Sequence, residues 1–176
     1  MTVTHHKLMD DILTKALDFA HKYRIVGRAH YLSADHHAKL NRLFGIPVII
    51  ITAVVGTTIF STLEQNPSSW YKILAGLFSL TGTVLAALQT TLGFAQTAEK
   101  HKTAGETYRS VQRKFELFEL RYKILGPENR EKAMDQLQEL VEKLEEVAKN
   151  FPAMSDRFYN RAKREVEESR LESTAP

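Results

Sequence analysis

Two stretches of this chain, residues 43–63 and 73–96, contain no formally charged side chain, while the segments around them mix apolar and charged positions at helical spacing. At about 1.5 Å per residue the first stretch makes a helix of roughly 31 Å, the thickness of a bilayer's hydrocarbon core. The second stays free of charge as far as Ala98 and is long enough to cross with tilt. Between them residues 64–72 read EQNPSSWYK. Asn66-Pro67-Ser68-Ser69 is a turn signal, and Trp70 and Tyr71 are the aromatics expected at a membrane interface. Pro47 falls in the first turn or so of the first stretch, where its missing N–H costs little. The pattern predicts two membrane-spanning helices joined by a short external loop.

The flanks read as helices too. From Lys7 to Leu40 there is no proline, and Gly27 alone interrupts a run that continues toward the first span. Leu13, Leu17 and Ala20, then Ala29, Leu32 and Ala38, form a weak apolar stripe. After the second span, Val111, Phe115, Phe118, Tyr122 and Leu125 share one face, and Gly126-Pro127 ends that helix. Met134, Leu137, Leu140, Val141, Leu144 and Val147 then mark an amphipathic helix over 128–149, which Asn150-Phe151-Pro152 terminates. A last short helix is expected from about Ser155, with a loose tail beyond Leu171. No strand-like alternation of useful length occurs. The predicted fold class is all-α: a membrane protein with a two-helix transmembrane hairpin and a cytosolic helical bundle. Its expected parts are an N-terminal cytosolic helix (1–42), the spans (43–63 and 73–96), the external loop (64–72), a cytosolic helix continuing from the second span (97–125), and the amphipathic helix, short helix and tail (126–176).

Composition sharpens this picture. The chain is 26% charged, yet between residues 43 and 98 only Glu64 and Lys72 carry charge. A mean hydropathy of −0.29 therefore averages over two very different kinds of segment. A buried hairpin in a soluble protein is the competing reading, and the threonines, Gln89 and the lack of leucine runs speak for it. The segregation of charge speaks against it, because soluble helices carry charge on their outer faces. Some forty mostly polar residues before the first span argue against a cleaved signal peptide. Arg24, Arg28, Lys39 and Arg42 precede the first span and Lys100, Lys102, Arg109, Arg113 and Lys114 follow the second, whereas the loop has Lys72 alone. By the positive-inside bias both termini are cytoplasmic. The net charge of +3 is too small to point to nucleic acid. With no cysteine, disulfides and thiolate chemistry are excluded.

Inside the spans small residues recur. Ala75, Ser79, Thr83, Ala87, Thr91 and Ala95 follow one another every fourth residue, and Ala53, Thr57 and Ser61 do the same beside Gly56. Such rows let helix backbones approach closely in lipid. One reading has them zip the hairpin within a subunit; the other turns part of this hydroxyl-rich surface toward other copies or an aqueous path. Gln89, flanked by Thr90 and Thr91, is the most polar intramembrane position. It is a candidate for lining a pore or bridging subunits, together with Thr83, Thr90 and Thr91, and can equally bond to a neighbouring helix.

Seven histidines invite a metal. His30 and His37 share a helix face, His36 adjoins and His101 lies beyond the second span, but the spacing is not HExxH and no carboxylate completes a set. Hydrogen bonding near the headgroups explains them as well, and a pH response is conceivable. There is no phosphate-binding glycine loop, no GxSxG motif and no paired catalytic carboxylates, so neither enzyme activity nor a cofactor is expected. Glu139, Glu142, Glu145 and Glu146, interleaved with Lys143 and Lys149, read as a solvated helix face.

A resemblance emerges from particular residues: His36-His37-Ala38-Lys39-Leu40 before the first span, Gly45-Ile46-Pro47-Val48-Ile49-Ile50 at its start, Val54-Val55-Gly56-Thr57 within it, and Ala98-Glu99-Lys100-His101 through Tyr108-Arg109 after the second. Together they resemble the SLATT family, bacterial two-transmembrane effector domains associated with SMODS-type nucleotide synthases and SLOG-type nucleotide sensors, over about residues 15–170. The resemblance implies a membrane effector of antiviral defence or abortive infection. Such an effector assembles as a homo-oligomer to perforate or depolarise the inner membrane when a nucleotide second messenger or a separate sensor protein signals. It brings no active-site motif. The residues by themselves add that two spans cannot enclose water, so a pore needs several copies. The alternative is a membrane-anchored helical module that recruits a partner and forms no pore.

Overall fold

The computed structural model describes the backbone of residues 2–62 and 69–174 and the side chains of residues 6–57 and 70–172. Five α-helices account for nearly all of it: α1 (Thr2–Thr62), α2 (Ser69–Leu92), α3 (Phe94–Leu125), α4 (Arg130–Ala148) and α5 (Asp156–Thr174), with one 3-10 turn at Pro127–Asn129. No strand occurs among the described residues, and the fold class is all-α. Gly27 does not break α1, and Pro47 is accommodated inside it. The expected turn residues 64–68 lie outside the described residues.

Two glycines place the interruptions. Gly93, with φ 55°, separates α2 from α3 inside the second apolar segment. A side chain there would be strained, whereas glycine takes the left-handed region at little cost. The helix expected to run on from the second span therefore restarts at Phe94, where the Thr97 N–H donates to the Gly93 carbonyl at 3.0 Å. Gly126, with φ 82°, ends α3, and its N–H donates to the Tyr122 carbonyl at 3.1 Å. Pro127 then opens the 3-10 turn, where an N–H would have no partner.

The chain divides into two compact units, Met1–Ala34 with Glu99–Pro176, and Asp35–Ala98. The first is a helical bundle with a real core. Met9, Ile12, Ala16, Ala20 and Tyr23 of α1 pack on Val111, Phe115, Phe118 and Tyr122 of α3 and on Ala133, Leu137 and Leu144 of α4. The stripe on α1 differs from the one read in the sequence. Leu17 is exposed, and its place is taken by alanines small enough to admit the α3 aromatics. Rings do much of the filling: Phe115 lies 5.5 Å from Phe19 and 5.6 Å from Tyr23, centroid to centroid. A second face of α1, Ile25, Ala29 and Leu32, takes Ala162 and Val166 of α5. Helix α5 starts where expected, with the Ser155 carbonyl accepting from the N–H groups of Phe158 and Tyr159, but runs on to Thr174. On α4 and α3 the outer members of the expected stripes, Met134, Val147 and Leu125, are exposed.

Gly27 and Gly105 let α1 and α3 cross closely. A Cβ built on Gly105 would stand 3.2 Å from the Gly27 carbonyl oxygen and from the Tyr31 ring.

The second unit has almost no interior. Among its described residues only Gly82 is buried, while Ile49 is 70% and Leu80 63% exposed. So much contiguous apolar surface is untenable in water and ordinary in lipid.

Phe115 is fully buried and Leu117, two positions along, is 65% exposed. Phe115→Ala is expected to cost the bundle about 3–5 kcal/mol. Leu117→Ala should stay within about 0.5 kcal/mol of the parent. Thermal unfolding of the detergent-solubilised chain, followed by circular dichroism, reads the difference.

Candidate functional site

Two helical stretches, within His6–Thr57 and Trp70–Leu125, are long and apolar enough to cross a membrane. Within the second unit their contact line is set by small residues and one polar pair. The Gln89 Nε2 donates to Asn41 Oδ1 at 3.3 Å. Gly45 makes room for it, since a Cβ there would come within 2.8 Å of the same Nε2. Further along, a Cβ on Gly82 would reach 3.1 Å from the Ile51 side chain. Phe44 and Phe94 stack at 5.6 Å. Gln89 thus has a partner on the neighbouring helix, which satisfies part of an amide that would otherwise be costly in lipid.

The small-residue rows lie elsewhere. Ala53, Thr57, Ser79, Thr83, Ala87 and Thr91 are exposed within the chain, Ala75 and Gly56 are half-buried, and a Cβ on Gly56 would meet nothing within 4 Å. Gly45 and Gly82, not singled out by the four-residue repeat, provide the close approach instead. Ser61 lies outside the residues whose side chains are described. Thr83 donates to the Ser79 carbonyl at 2.9 Å, Thr90 to the Ala86 carbonyl at 3.0 Å, and Thr57 to the carbonyls of Ala53 and Val54. Each hydroxyl proton is therefore satisfied inside its own helix, leaving the oxygen able to accept a bond from water or another chain.

The bundle holds a pairing that sequence spacing does not show. His30 and His101, both buried, face each other with Nδ1 atoms 2.9 Å apart. At that distance one Nδ1–H donates and the other Nδ1 accepts, so the accepting ring is a neutral imidazole with its proton on Nε2. Tyr108 stacks on His30 at 5.5 Å, and Phe151 meets its edge at 6.2 Å. Burial, with the neighbouring His101 second, pushes the pKa of His30 down to about 4. His37, on the same helix face as His30 by sequence spacing, neighbours His36 and Phe94. The signal for the right partner is fold-back symmetry. Gly27–Gly105, His30–His101, Asn41–Gln89 and Ile51–Gly82 each have a midpoint in sequence between 65 and 67, at the Asn66-Pro67 turn motif.

Because the unfolded His30 binds its proton near pH 6.5 and the folded one near 4, the folded state gives up protons relative to the unfolded state in between. Its contribution is constant above about pH 6.5 and is lost as the pH falls toward 4. His30→Gln should flatten that limb of the stability profile, measured as Tm against pH.

The family model for the SMODS and SLOG-associating 2TM effector domain family 4 matches residues 23–173. No curated protein and no solved structure matches the chain.

Proposed function

We propose that this chain, which belongs to the SMODS and SLOG-associating 2TM effector domain family 4, assembles into a homo-oligomer that opens an ion path through the bacterial inner membrane. Membership in this family makes it a two-span membrane effector associated with defence systems. The finer reading is a non-enzymatic, signal-gated pore of antiviral defence or abortive infection, with both termini in the cytoplasm and a nucleotide messenger or a separate sensor protein as its trigger.

One observation carries the oligomer: Ser79, Thr83, Ala87 and Thr91 form a small, hydroxyl-bearing row that the hairpin does not use for its own packing. A row of this kind facing lipid has no purpose that larger apolar residues would not serve better, whereas against another helix it permits close approach. Hydroxyl oxygens along it can still accept hydrogen bonds, which suits a wet path or a subunit contact. A hairpin has no interior, so conduction requires several copies around a common axis. Gating requires two arrangements of the assembly that the signal binds unequally.

The self-satisfied threonine protons favour a second reading, a membrane anchor whose cytosolic helices recruit a partner, because they make the spans tolerable in plain lipid. The two readings part in measurement. For the pore, light scattering of the detergent-solubilised chain, corrected for bound detergent, gives a discrete oligomer of about four or more copies, because a single hairpin has no interior to hold water. Liposomes carrying it release a trapped ion. Ala87→Leu, which blocks close approach without harming a helix in lipid, lowers both the mass and the flux, while Ile49→Leu leaves both unchanged. A monomer that leaves the membrane potential intact with and without added nucleotides sinks the pore and leaves the anchor.

A further inference from the structure

Within the bundle unit, α1, α3 and α5 form an open cavity of about 580 Å³ lined by Tyr23, Arg24, Gly27, Arg28 and Tyr31 of α1, by Arg109 and Gln112 of α3, and by Glu165, Val166 and Ser169 of α5. The volume falls in the range of about 300–1,000 Å³ that small-molecule sites occupy. Its charge is one-sided: three guanidinium groups from two helices face a single carboxylate. That carboxylate is already engaged, since Glu165 accepts from Arg28 Nε at 2.7 Å and from Arg161 Nε at 2.9 Å. The two arginines beside it hold Glu165 below the usual carboxylate range, against the opposing effect of burial. Arg24 and Arg109 bring charge that Glu165 does not balance, and both are exposed enough to reorient.

We propose that this cavity binds a soluble nucleoside phosphate, with its phosphate held by Arg24, Arg28 and Arg109 and its ring against the tyrosine wall. Converging guanidinium forks suit an oxyanion such as a phosphate, which they grip in pairs of charge-assisted bonds. Inorganic phosphate alone would leave most of the volume empty. Tyr31, half-buried with its ring edge over Gly105, offers a flat surface for a base, and Gln112 and Ser169 supply polar groups to a sugar or base. Binding carries a consequence. The Arg28–Glu165 pair ties α5 to α1, and it is partly exposed, with side chains 47% and 29% accessible, so it is weak enough for a phosphate to displace. A ligand that takes Arg28 leaves Glu165 to Arg161 on its own helix, loosening α5 from α1. This deepens the reading of the chain as a signal-gated effector and rests on it for its purpose. Binding is measured on its own and stands even where no pore forms.

The test is calorimetric titration of the full-length chain in detergent with the common ribonucleoside 5′-mono- and triphosphates. Parallel arms use adenosine, inorganic phosphate and short-chain dihexanoyl phosphatidylglycerol. Saturable binding of at least one nucleoside phosphate is expected, with adenosine silent and inorganic phosphate much weaker. Arg109→Ala and Arg24→Ala, exposed positions whose loss should leave the circular dichroism unchanged, are each expected to weaken it about ten- to hundredfold, the worth of one hydrogen bond to a charged group. Arg164→Ala, outside the cavity lining, should leave it as it was. Binding of none of the nucleoside phosphates, binding indifferent to both arginines, or preference for the phosphatidylglycerol over every nucleotide would each overturn the assignment, the last by giving the site to a lipid headgroup.

Discussion

In hydrocarbon a peptide N–H or C=O has no water to bond to, and a chain crossing it must satisfy those groups along its own axis. Most other features of the second unit depend on that constraint. It makes both spans helical, turns the hydroxyl protons of Thr52, Thr57, Thr81, Thr83 and Thr90 back onto carbonyls of their own helices, and sends the Gln89 amide to Asn41. Pro47 departs from it: α1 runs unbroken from Thr2, so Pro47 stands inside the helix rather than in its first turn and offers the Leu43 carbonyl no N–H, near the start of the first apolar segment as the break at Gly93 is near the end of the second. What the constraint does not require is a filled core, and the hairpin has none.

The bundle obeys the opposite rule. Outside the apolar segments water rewards burial, and α1, α3 and α4 meet it with an aromatic and aliphatic interior around Phe115, while α5 buries Ala162 and Val166 on a second face of α1. α1 belongs to both regimes, which explains its mixed character as a sequence. Its N-terminal part shows one stripe to α3 and α4 and another to α5, so no single periodicity describes it. Polar groups drawn into this interior are matched: Tyr122 donates its hydroxyl to Gln136 at 2.9 Å, and His30 has His101. Ion pairs lie at the surface, several of them one helical turn apart on α4 and α5, and contribute little to stability. The Arg28–Glu165 pair differs in joining two helices, and it borders a basic cavity between α1, α3 and α5.

The amino-acid sequence determined the all-α class, the two apolar helices, the stops at Gly126-Pro127 and after α4, and the family, because each rests on local chemistry: absence of charge over a membrane's width, helical periodicity, and the conformational limits of proline and glycine. Only the tertiary structure decided which faces touch. A four-residue repeat of small side chains marks where helices can approach, but a repeat drifts around a 3.6-residue helix, and Gly45 and Gly82 took the contact while Ser79, Thr83 and Ala87 stayed open. The same is true of the arginines before and after the spans. Counted along the chain they give only an orientation; brought to one cavity by α1 and α3, with α5 closing it, they become a site, because convergence of charge depends on packing between segments far apart in sequence.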